Sequence, residues 1–171
     1  MTIPVVMATG AWSPLLVRRL GFSLPIQPAK GYSITMKRPQ AAPSVPIHMG
    51  ERKVIATPMG DHLRLAGTLE LAGHDSSINE RRVEAIRRAM REYLPEMDDI
   101  EEVEVWYGWR PLTPDTLPII GPSPRWQNLI VATGHGMLGM SLGPVTGKLV
   151  ADMVAGNANQ DYLSALRVDR Y

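Results

Sequence analysis

The sequence contains no cysteine among its 171 residues. This absence excludes disulfide bonds, thiolate metal sites and cysteine nucleophiles. Neither charge is in excess, because the sequence has 18 basic and 17 acidic residues and a net charge of +1. Nucleic-acid binding needs a concentrated basic face, so we expect no nucleic-acid partner.

Long apolar runs are missing as well. The longest, at residues 3–8 and 128–133, are strand-length and fall far short of the ~20 residues that a membrane-spanning helix needs. The N-terminus has no basic segment followed by an apolar stretch, so it does not form a signal peptide. We expect a cytoplasmic protein, with peripheral attachment to the inner face of the membrane as an alternative.

Periodicity in the remaining sequence predicts an α+β fold. We expect a buried strand at 3–8, further strands at 26–36, 53–57, 62–67, 103–109 and 129–132, and helices at 78–94 and 142–154. Another helix is expected to have Ser13 as its N-cap and Pro14 at its first position, and to end at Gly21. Residues 58–61 (PMGD) have the composition of a hairpin turn, and Gly31 marks a bulge. The spacing of Val83, Ile86 and Met90 is typical of an amphipathic helix that packs on a sheet.

A glycine-rich turn follows the strand at 129–132 and leads into the last helix. Residues 134–139 (GHGMLG) match G-x-G-x-x-G, but no second strand with an acidic residue follows about 20 positions later, so we reject a Rossmann site. Small residues there would still let a planar ligand approach the backbone, and a helix N-terminus favours negative charge. The pattern alone is explained better by a tight strand-to-helix turn.

Arg110 lies between a run of aromatic residues, 106–109, and Pro111. A guanidinium among indole and phenol rings is partly desolvated and therefore binds a carboxylate strongly. An ion pair with Asp115 or stacking on Trp109 explains the same pattern equally well.

The four histidines do not have the spacing of a metal site, and no metal is expected. We interpret His62 and His74 as surface residues, and His48 as either a strand residue or a group that faces the substrate. Ser13 and Ser141 lack the G-x-S-x-G pattern of a hydrolase.

Three stretches resemble the D-amino-acid dehydrogenase, glycine oxidase and sarcosine oxidase group of FAD enzymes. They read VVMATGAWSPLL with QPAKGYSITM, RLAGTLELAGHD, and WYGWRPLTPDTLPIIG with LIVATGHGMLGMSLGPVTGKLVADMVAG. The resemblance covers nearly the whole chain. It implies an α+β fold, in which a mixed-sheet substrate-binding domain with a packed helix is joined to the C-terminal strand–turn–helix of an FAD-binding domain.

The resemblance also assigns residues to the site. Arg110 would clamp the substrate carboxylate, with Tyr32, His48 and Met137 as further substrate contacts. The cofactor contacts would be Thr9, Gly10, Gly134, His135, Gly136, Met137, Leu138, Gly139, Met140 and Ser141. Glycine oxidase-like members often carry a basic residue where this chain has Met137, which favours the D-amino-acid dehydrogenase branch. No catalytic side chain is assigned.

Members of this group begin with a βαβ unit that binds the FAD pyrophosphate, and this chain begins at a later strand. We therefore expect the C-terminal portion of such an enzyme, with the nucleotide-binding portion in a parent protein or in a separate chain. The expected segments are residues 1–22 and 111–171 in the FAD-binding domain and 23–110 in the substrate-binding domain.

The implied reaction is oxidation of a D-amino acid to a 2-oxo acid and ammonia by hydride transfer to flavin, with a quinone, another respiratory acceptor or oxygen as the final oxidant. Alternative substrates are secondary amino acids such as D-proline, hydroxyproline and sarcosine, or glycine. A different alternative is a non-catalytic fragment or subunit that binds a carboxylate ligand or a partner chain without FAD.

Overall fold

The computed structural model describes residues 3–95 and 100–171. Its strands are β1 Val5–Met7, β2 Gln27–Lys37, β3 Ile47–Met49, β4 Val54–Met59, β5 His62–Glu70, β6 Glu102–Leu112, β7 Ile119–Pro122 and β8 Leu129–Thr133. Its α-helices are α1 Ser13–Arg19, α2 Glu80–Tyr93, α3 Gly139–Val154 and α4 Gln160–Leu163. Contacts divide the chain into unit 1, Met1–Pro28 with Arg110–Tyr171, and unit 2, Ala29–Trp109.

Unit 2 is built on a five-stranded sheet in the order β3-β4-β5-β2-β6. The predicted hairpin joins β4 to β5, with Gly60 in the left-handed region at φ 59°. One face of the sheet packs against α2, whose Val83, Ile86 and Met90 are buried as their spacing predicts. Side chains alternate along a strand, so the residues between the core residues lie on the opposite face of the sheet.

The predicted bulge is present where β2 pairs with β5. The register shifts between Gly31 and Tyr32, because Gly31 pairs with Leu69 and Tyr32 with Gly67. The extra residue is Thr68, which adopts a φ of 54°. A positive φ is uncommon for a β-branched residue, so the bulge is a site of local backbone strain.

Unit 1 contains a three-stranded sheet in the order β1-β8-β7. β1 runs parallel to β8, with Val5 opposite Leu129, whereas β7 pairs with β8 in the antiparallel direction. The core of this unit is made of buried apolar residues from distant parts of the chain: Met7, Val17, Leu24, Ile26, Ile119, Leu129, Val131 and Val168.

The prediction that the first strand is buried is wrong. Ile3 is 80% exposed, and Val5 and Val6 are 51% and 44% exposed. β1 lies at one edge of its sheet, with β8 as its one strand neighbour among the described residues. The opposite edge strand, β7, has Ile119 and Ile120 buried because α3 and residues 164–166 pack near it. In α1, Leu15 and Leu16 are likewise exposed and Val17 alone of this apolar run is buried.

Several elements differ from their predicted bounds. β3 contains His48, for which a place on a strand was one of the two interpretations, whereas β7 lies where no strand was predicted. α4 lies beyond the last predicted helix, in a segment where Leu163 and Val168 are buried. α3 begins at Gly139 rather than Leu142, and none of its 16 residues is buried. No helix in residues 3–95 and 100–171 has the length and the hydropathy to cross a bilayer.

A buried lysine fastens the segment that joins β5 to α2. The Lys30 side chain is fully buried, and its Nζ donates to the carbonyl oxygens of Asp75 at 3.0 Å and Ser77 at 2.7 Å. It also donates to Asp75 Oδ2 at 3.0 Å and lies 3.4 Å from Glu70 Oε2, which accepts from the Tyr32 hydroxyl at 2.5 Å. Burial alone would lower the pKa of Lys30, but these acceptors outweigh it and raise the pKa.

Replacing Lys30 with Met should destabilise the chain by about 3 kcal/mol, because it leaves two part-buried carbonyls and the carboxylates of Glu70 and Asp75 without their cation. Lys37→Met is the matched control on the same strand, since its ion pair with Glu101 is exposed and should contribute less than about 1 kcal/mol. Urea unfolding of both variants measures the difference. Equal losses would show that the Lys30 network does not stabilise the fold.

Candidate active site

Two glycine turns lie side by side at the carboxyl ends of the parallel strands β1 and β8. β1 leads into Thr9-Gly10 and β8 into Gly134, and both glycines have positive φ, 54° and 77°. In open sheets with parallel strands, ligands bind just beyond the carboxyl ends of the strands. The predicted cofactor contacts of the first and last segments are thus brought together by strand pairing.

A row of hydroxyl groups ties the two turns to each other. Ser13 Oγ lies 3.0 Å from Thr9 Oγ1 and 2.9 Å from Thr133 Oγ1, and Thr133 Oγ1 donates to the Gly10 carbonyl at 3.1 Å. The expectation that Ser13 is the N-cap of α1 is wrong, because Trp12 occupies that position. The Ser13 hydroxyl is buried in this row instead.

The N-terminus of α3 presents backbone donors next to apolar side chains. Its N-cap is Leu138, and no side chain caps the first turn. The first N–H groups of a helix have no partner inside the helix and carry its positive dipole end, so they favour electron-rich groups. Met137, Leu138 and Met140 around them are 71%, 57% and 94% exposed.

His135 holds the turn against the body of α3. Its Nε2 lies 2.9 Å from Thr146 Oγ1, and burial lowers the pKa of the imidazole. The neutral ring is therefore favoured at this position, where the helix dipole would also disfavour a cation.

Arg110 is half-buried and lies near the end of β6. Burial lowers the pKa of its guanidinium, and among the described residues no carboxylate forms an ion pair with it. The predicted alternative partner, Asp115, binds Arg170 instead at 2.8 Å and 3.1 Å. The ion-pair interpretation of Arg110 is therefore wrong, and a desolvated cation remains.

The arginine segment and the glycine-rich turn are in direct contact. The Gly136 N–H donates to the Pro111 carbonyl at 3.0 Å. A Cβ on Gly134 would lie 2.7 Å from Thr113 Cγ2, and one on Gly136 would lie 3.4 Å from Leu112 Cδ2. The close approach requires a glycine at 134, whereas at 136 the positive φ of 55° favours glycine. The sequence did not predict this contact, although proline and glycine signalled tight turns in both segments.

The other two predicted substrate contacts lie in unit 2. His48 is exposed on β3, opposite Ile55 of β4. Tyr32 is 1% exposed, and its hydroxyl is engaged by Glu70 in the interior of that unit. The predicted roles of these two residues in substrate binding stay predictions.

Unit 1 fits the ring end of FAD. Its two glycine turns let a planar group approach the backbone, and the uncapped start of α3 favours the ring edge that becomes electron-rich on reduction. These features are compatible with the class of oxidoreductases that bind a flavin beyond the ends of parallel strands. The chain matches the FAD dependent oxidoreductase family over residues 2–153 and belongs to that family.

Relatives within the family are longer than this chain. A D-amino acid dehydrogenase of Paramagnetospirillum magneticum is 42% identical over 168 residues, which are 97% of this chain and 40% of that protein. A D-amino acid dehydrogenase of Bradyrhizobium diazoefficiens is 39% identical, again over 97% of this chain and 40% of that protein. The chain thus spans about 40% of the length of these relatives.

Solved structures show the same fold. Glycine oxidase from Geobacillus kaustophilus superimposes with a TM-score of 0.89 at 30% identity, over 98% of this chain and 45% of that one. Iminodiacetate oxidase from Chelativorans sp. BNC1 superimposes with a TM-score of 0.86 at 26% identity, over 98% of this chain and 46% of that one. The mixed α and β architecture expected from the sequence is confirmed.

Replacing Gly134 with Ala should destabilise unit 1 by roughly 1–3 kcal/mol, because the new Cβ would meet Thr113 and the positive φ is strained for alanine. Gly143→Ala is the matched control in α3, where a Cβ meets no atom within 4 Å. That change should be neutral or stabilise the helix by up to about 1 kcal/mol. Urea unfolding separates the two, and equal effects would contradict the close packing at Gly134.

The free energy of unfolding should rise with pH as the solution approaches the unfolded pKa of His135, about 6.5, and should level off above it. Its pKa is lowered in the folded state, so below the unfolded pKa of about 6.5 the unfolded chain binds the extra proton and gains stability. His135→Gln should flatten this rise, whereas His62→Gln, at an exposed position, should not. An unchanged pH profile in His135→Gln would show that the ring is not held neutral.

Proposed function

We propose that this chain supplies the carboxylate clamp and the flavin-ring side of an enzyme that oxidises D-amino acids to 2-oxo acids and ammonia. The observation that carries the proposal is Arg110, a half-buried guanidinium with no acidic partner among the described residues, in a segment hydrogen-bonded to the glycine-rich turn. The names of the relatives, D-amino acid dehydrogenases, support the substrate class.

In this proposal, Arg110 binds and orients the substrate. A bidentate pair with the α-carboxylate fixes the amino acid in one orientation, and this pair is strong because the guanidinium is desolvated. When bound, FAD supplies the acceptor for the hydride of the substrate Cα. Holding the reactants in a fixed geometry supplies most of the acceleration, so no side-chain base is required if the amine is neutral.

The apolar side chains of the turn would keep water from the reacting centre. Met137, Leu138 and Met140 surround the start of α3 and are exposed in this chain. A dry site strengthens the pair between arginine and carboxylate. Water would then hydrolyse the released imine to the 2-oxo acid and ammonia.

The residue at position 137 favours a D-amino acid with a side chain over glycine. A methionine there offers an adaptable apolar wall and no charge that would compete with Arg110 for the carboxylate. Secondary amino acids such as D-proline, hydroxyproline and sarcosine remain the alternative substrates.

The proposed enzyme needs a nucleotide-binding portion, in a parent protein or in a partner chain. Within the described residues, the sheet of unit 1 contains the parallel pair of β1 with β8 and no βαβ unit for the FAD pyrophosphate. We further propose a quinone or another respiratory acceptor and a cytoplasmic location, with peripheral membrane attachment as the alternative.

A second candidate function is a non-catalytic subunit that binds a carboxylate or a partner chain without flavin. The exposed edge strand β1 and the helix α3, which has no buried residue, favour a chain that associates with another one. This candidate differs from the first in one property, whether the assembled protein binds FAD.

The first test is the visible absorption spectrum of the purified chain with FAD, followed by a mixture of D-amino acids without oxygen. A second sample is a chimera, in which this chain replaces the matching 40% of the Paramagnetospirillum magneticum relative. A flavin spectrum that bleaches with D-amino acids in the chimera supports the enzyme. A chimera that folds, binds FAD and ignores D-amino acids would reject the proposed substrate class, and a folded chimera that binds no FAD would favour the second candidate.

In the chimera, Arg110→Ala should lower kcat/KM mainly by raising KM, with a loss of about 2–5 kcal/mol in substrate binding. Arg110→Lys should recover only part of the loss, because an ammonium cannot form the bidentate pair. Arg125→Lys is the matched control at an exposed position of unit 1. Full activity in Arg110→Lys would contradict the bidentate role.

A further inference from the structure

We propose that the last two residues, Arg170 and Tyr171, are positioning residues that hold the Arg110 segment in place by binding Asp115. We name the cluster of Asp115, Arg170 and Tyr171 the C-terminal clasp. The proposal rests on the proposed role of Arg110 as the carboxylate clamp. The clasp lies wholly in unit 1.

The contacts within the clasp are dense. Arg170 donates from Nε to Asp115 Oδ2 at 2.8 Å and from Nη2 to Asp115 Oδ1 at 3.1 Å, and Nη2 also reaches the Leu117 carbonyl at 2.9 Å. The Tyr171 hydroxyl donates to Asp115 Oδ1 at 2.5 Å, and its ring lies 4.6 Å from the guanidinium. The Arg170 side chain is 11% exposed and that of Asp115 is 35% exposed, so water is partly excluded on the arginine side of the pair.

The charge of Asp115 is set by these contacts. The hydrogen bond from Arg170, followed by that from Tyr171, lowers the pKa of the Asp115 carboxyl well below its usual range. Asp115 therefore stays ionised and paired at every pH near neutrality. Its side chain also accepts from the Leu117 N–H at 3.1 Å, which fixes the turn that contains it.

The loop at residues 113–117 transmits the restraint to the site. At one side, Arg170 of the clasp donates hydrogen bonds to the Asp115 carboxylate and the Leu117 carbonyl. At the other, Thr113 is buried, donates to the Leu117 carbonyl at 2.8 Å and packs where a Cβ of Gly134 would lie 2.7 Å away. The loop is thus held between the C-terminal residues and the glycine-rich turn.

The backbone of this loop is strained, and the contacts of the clasp stabilise the strained conformation. Thr116 has a φ of 65°, a region that β-branched residues seldom adopt. Such a conformation persists only where the surroundings hold it. Three residues earlier the chain passes through Thr113, and before it through the Pro111 carbonyl that accepts from Gly136. Releasing the loop would therefore loosen the segment that carries Arg110.

A neighbouring ion pair provides a matched control. Arg167 pairs with Asp169 two residues away, and both side chains are more than half exposed. That pair is formed by the same residue types at the same end of the chain, but it joins no distant element. Arg167→Ala should therefore remove a charge and an ion pair without releasing the loop.

The test uses the 171-residue chain and two NMR measurements. The first is hydrogen exchange of the Gly136 amide, which is bonded to Pro111, with the Leu65 amide of unit 2 as an internal reference. The second is titration with benzoate, a simple carboxylate, followed at the Arg110 side chain. We expect Arg170→Ala to speed Gly136 exchange about tenfold and to weaken benzoate binding by a similar factor, and Arg167→Ala to leave both within about twofold.

Conservative variants keep the test decisive if Arg170→Ala fails to fold. Tyr171→Phe removes one hydrogen bond to Asp115 and keeps the ring, so it should give a smaller rise in Gly136 exchange. Arg170→Lys should fall between wild type and Arg170→Ala, because it keeps the charge and loses the bidentate pair. A purely stabilising role would instead speed Gly136 and Leu65 exchange equally.

The outcomes separate the clasp from the proposed function. Arg170 variants that change exchange and benzoate affinity no more than Arg167→Ala does would overturn the clasp. Equal acceleration at Gly136 and Leu65 would overturn it too. If wild type binds no benzoate at Arg110, the carboxylate role of Arg110 fails, and the exchange data still decide whether the clasp holds the loop.

Discussion

The parallel pairing of β1 with β8 is the constraint on which the site depends. These strands are far apart in the sequence, and their pairing places Thr9-Gly10 beside Gly134. The buried hydroxyls of Ser13 and Thr133, 120 residues apart, then fix the two turns at hydrogen-bond distance. Without this pairing, the glycine turns would be separate local features, and no surface for a planar cofactor would exist beyond the strand ends.

Among the described residues, Arg110 lacks an ion pair because the acidic residue near it in the sequence pairs with another arginine. A half-buried guanidinium is costly unless an anion is close, so an arginine that pairs with no carboxylate of residues 3–95 and 100–171 is a candidate for binding an anionic ligand. Asp115, five residues away, is held by Arg170 and cannot serve. The lysine of unit 2 shows the opposite arrangement, because Lys30 is surrounded by acceptors from its own chain and has no capacity for a ligand.

Local patterns predicted much of this structure, and long-range contacts were predicted poorly. Residues close in sequence determine the hairpin of β4 and β5, the buried face of α2 and the turn before α3. Periodicity and turn composition therefore predict these elements. Exposure of β1 was mispredicted because an apolar run does not reveal how many strands pair with it. The bond from Gly136 to Pro111 and the pair of Asp115 with Arg170 join segments that no local pattern connects. The family resemblance identified Arg110 as the anion-binding candidate, and the geometry then excluded the competing ion pair.

The division of the chain into a continuous unit and a discontinuous one has a consequence for the order in which it folds. Unit 2 is a single stretch, Ala29–Trp109, so all of its strands are available as soon as that stretch has left the ribosome. The sheet of unit 1 needs β1 from the start of the chain and β8 from residues 129–133, and it must close a loop of more than a hundred residues. Such closure is slow, because distant contacts must overcome loop entropy. During synthesis, β1 therefore lacks its partner β8 while unit 2 forms, and a strand without its partner is prone to aggregation.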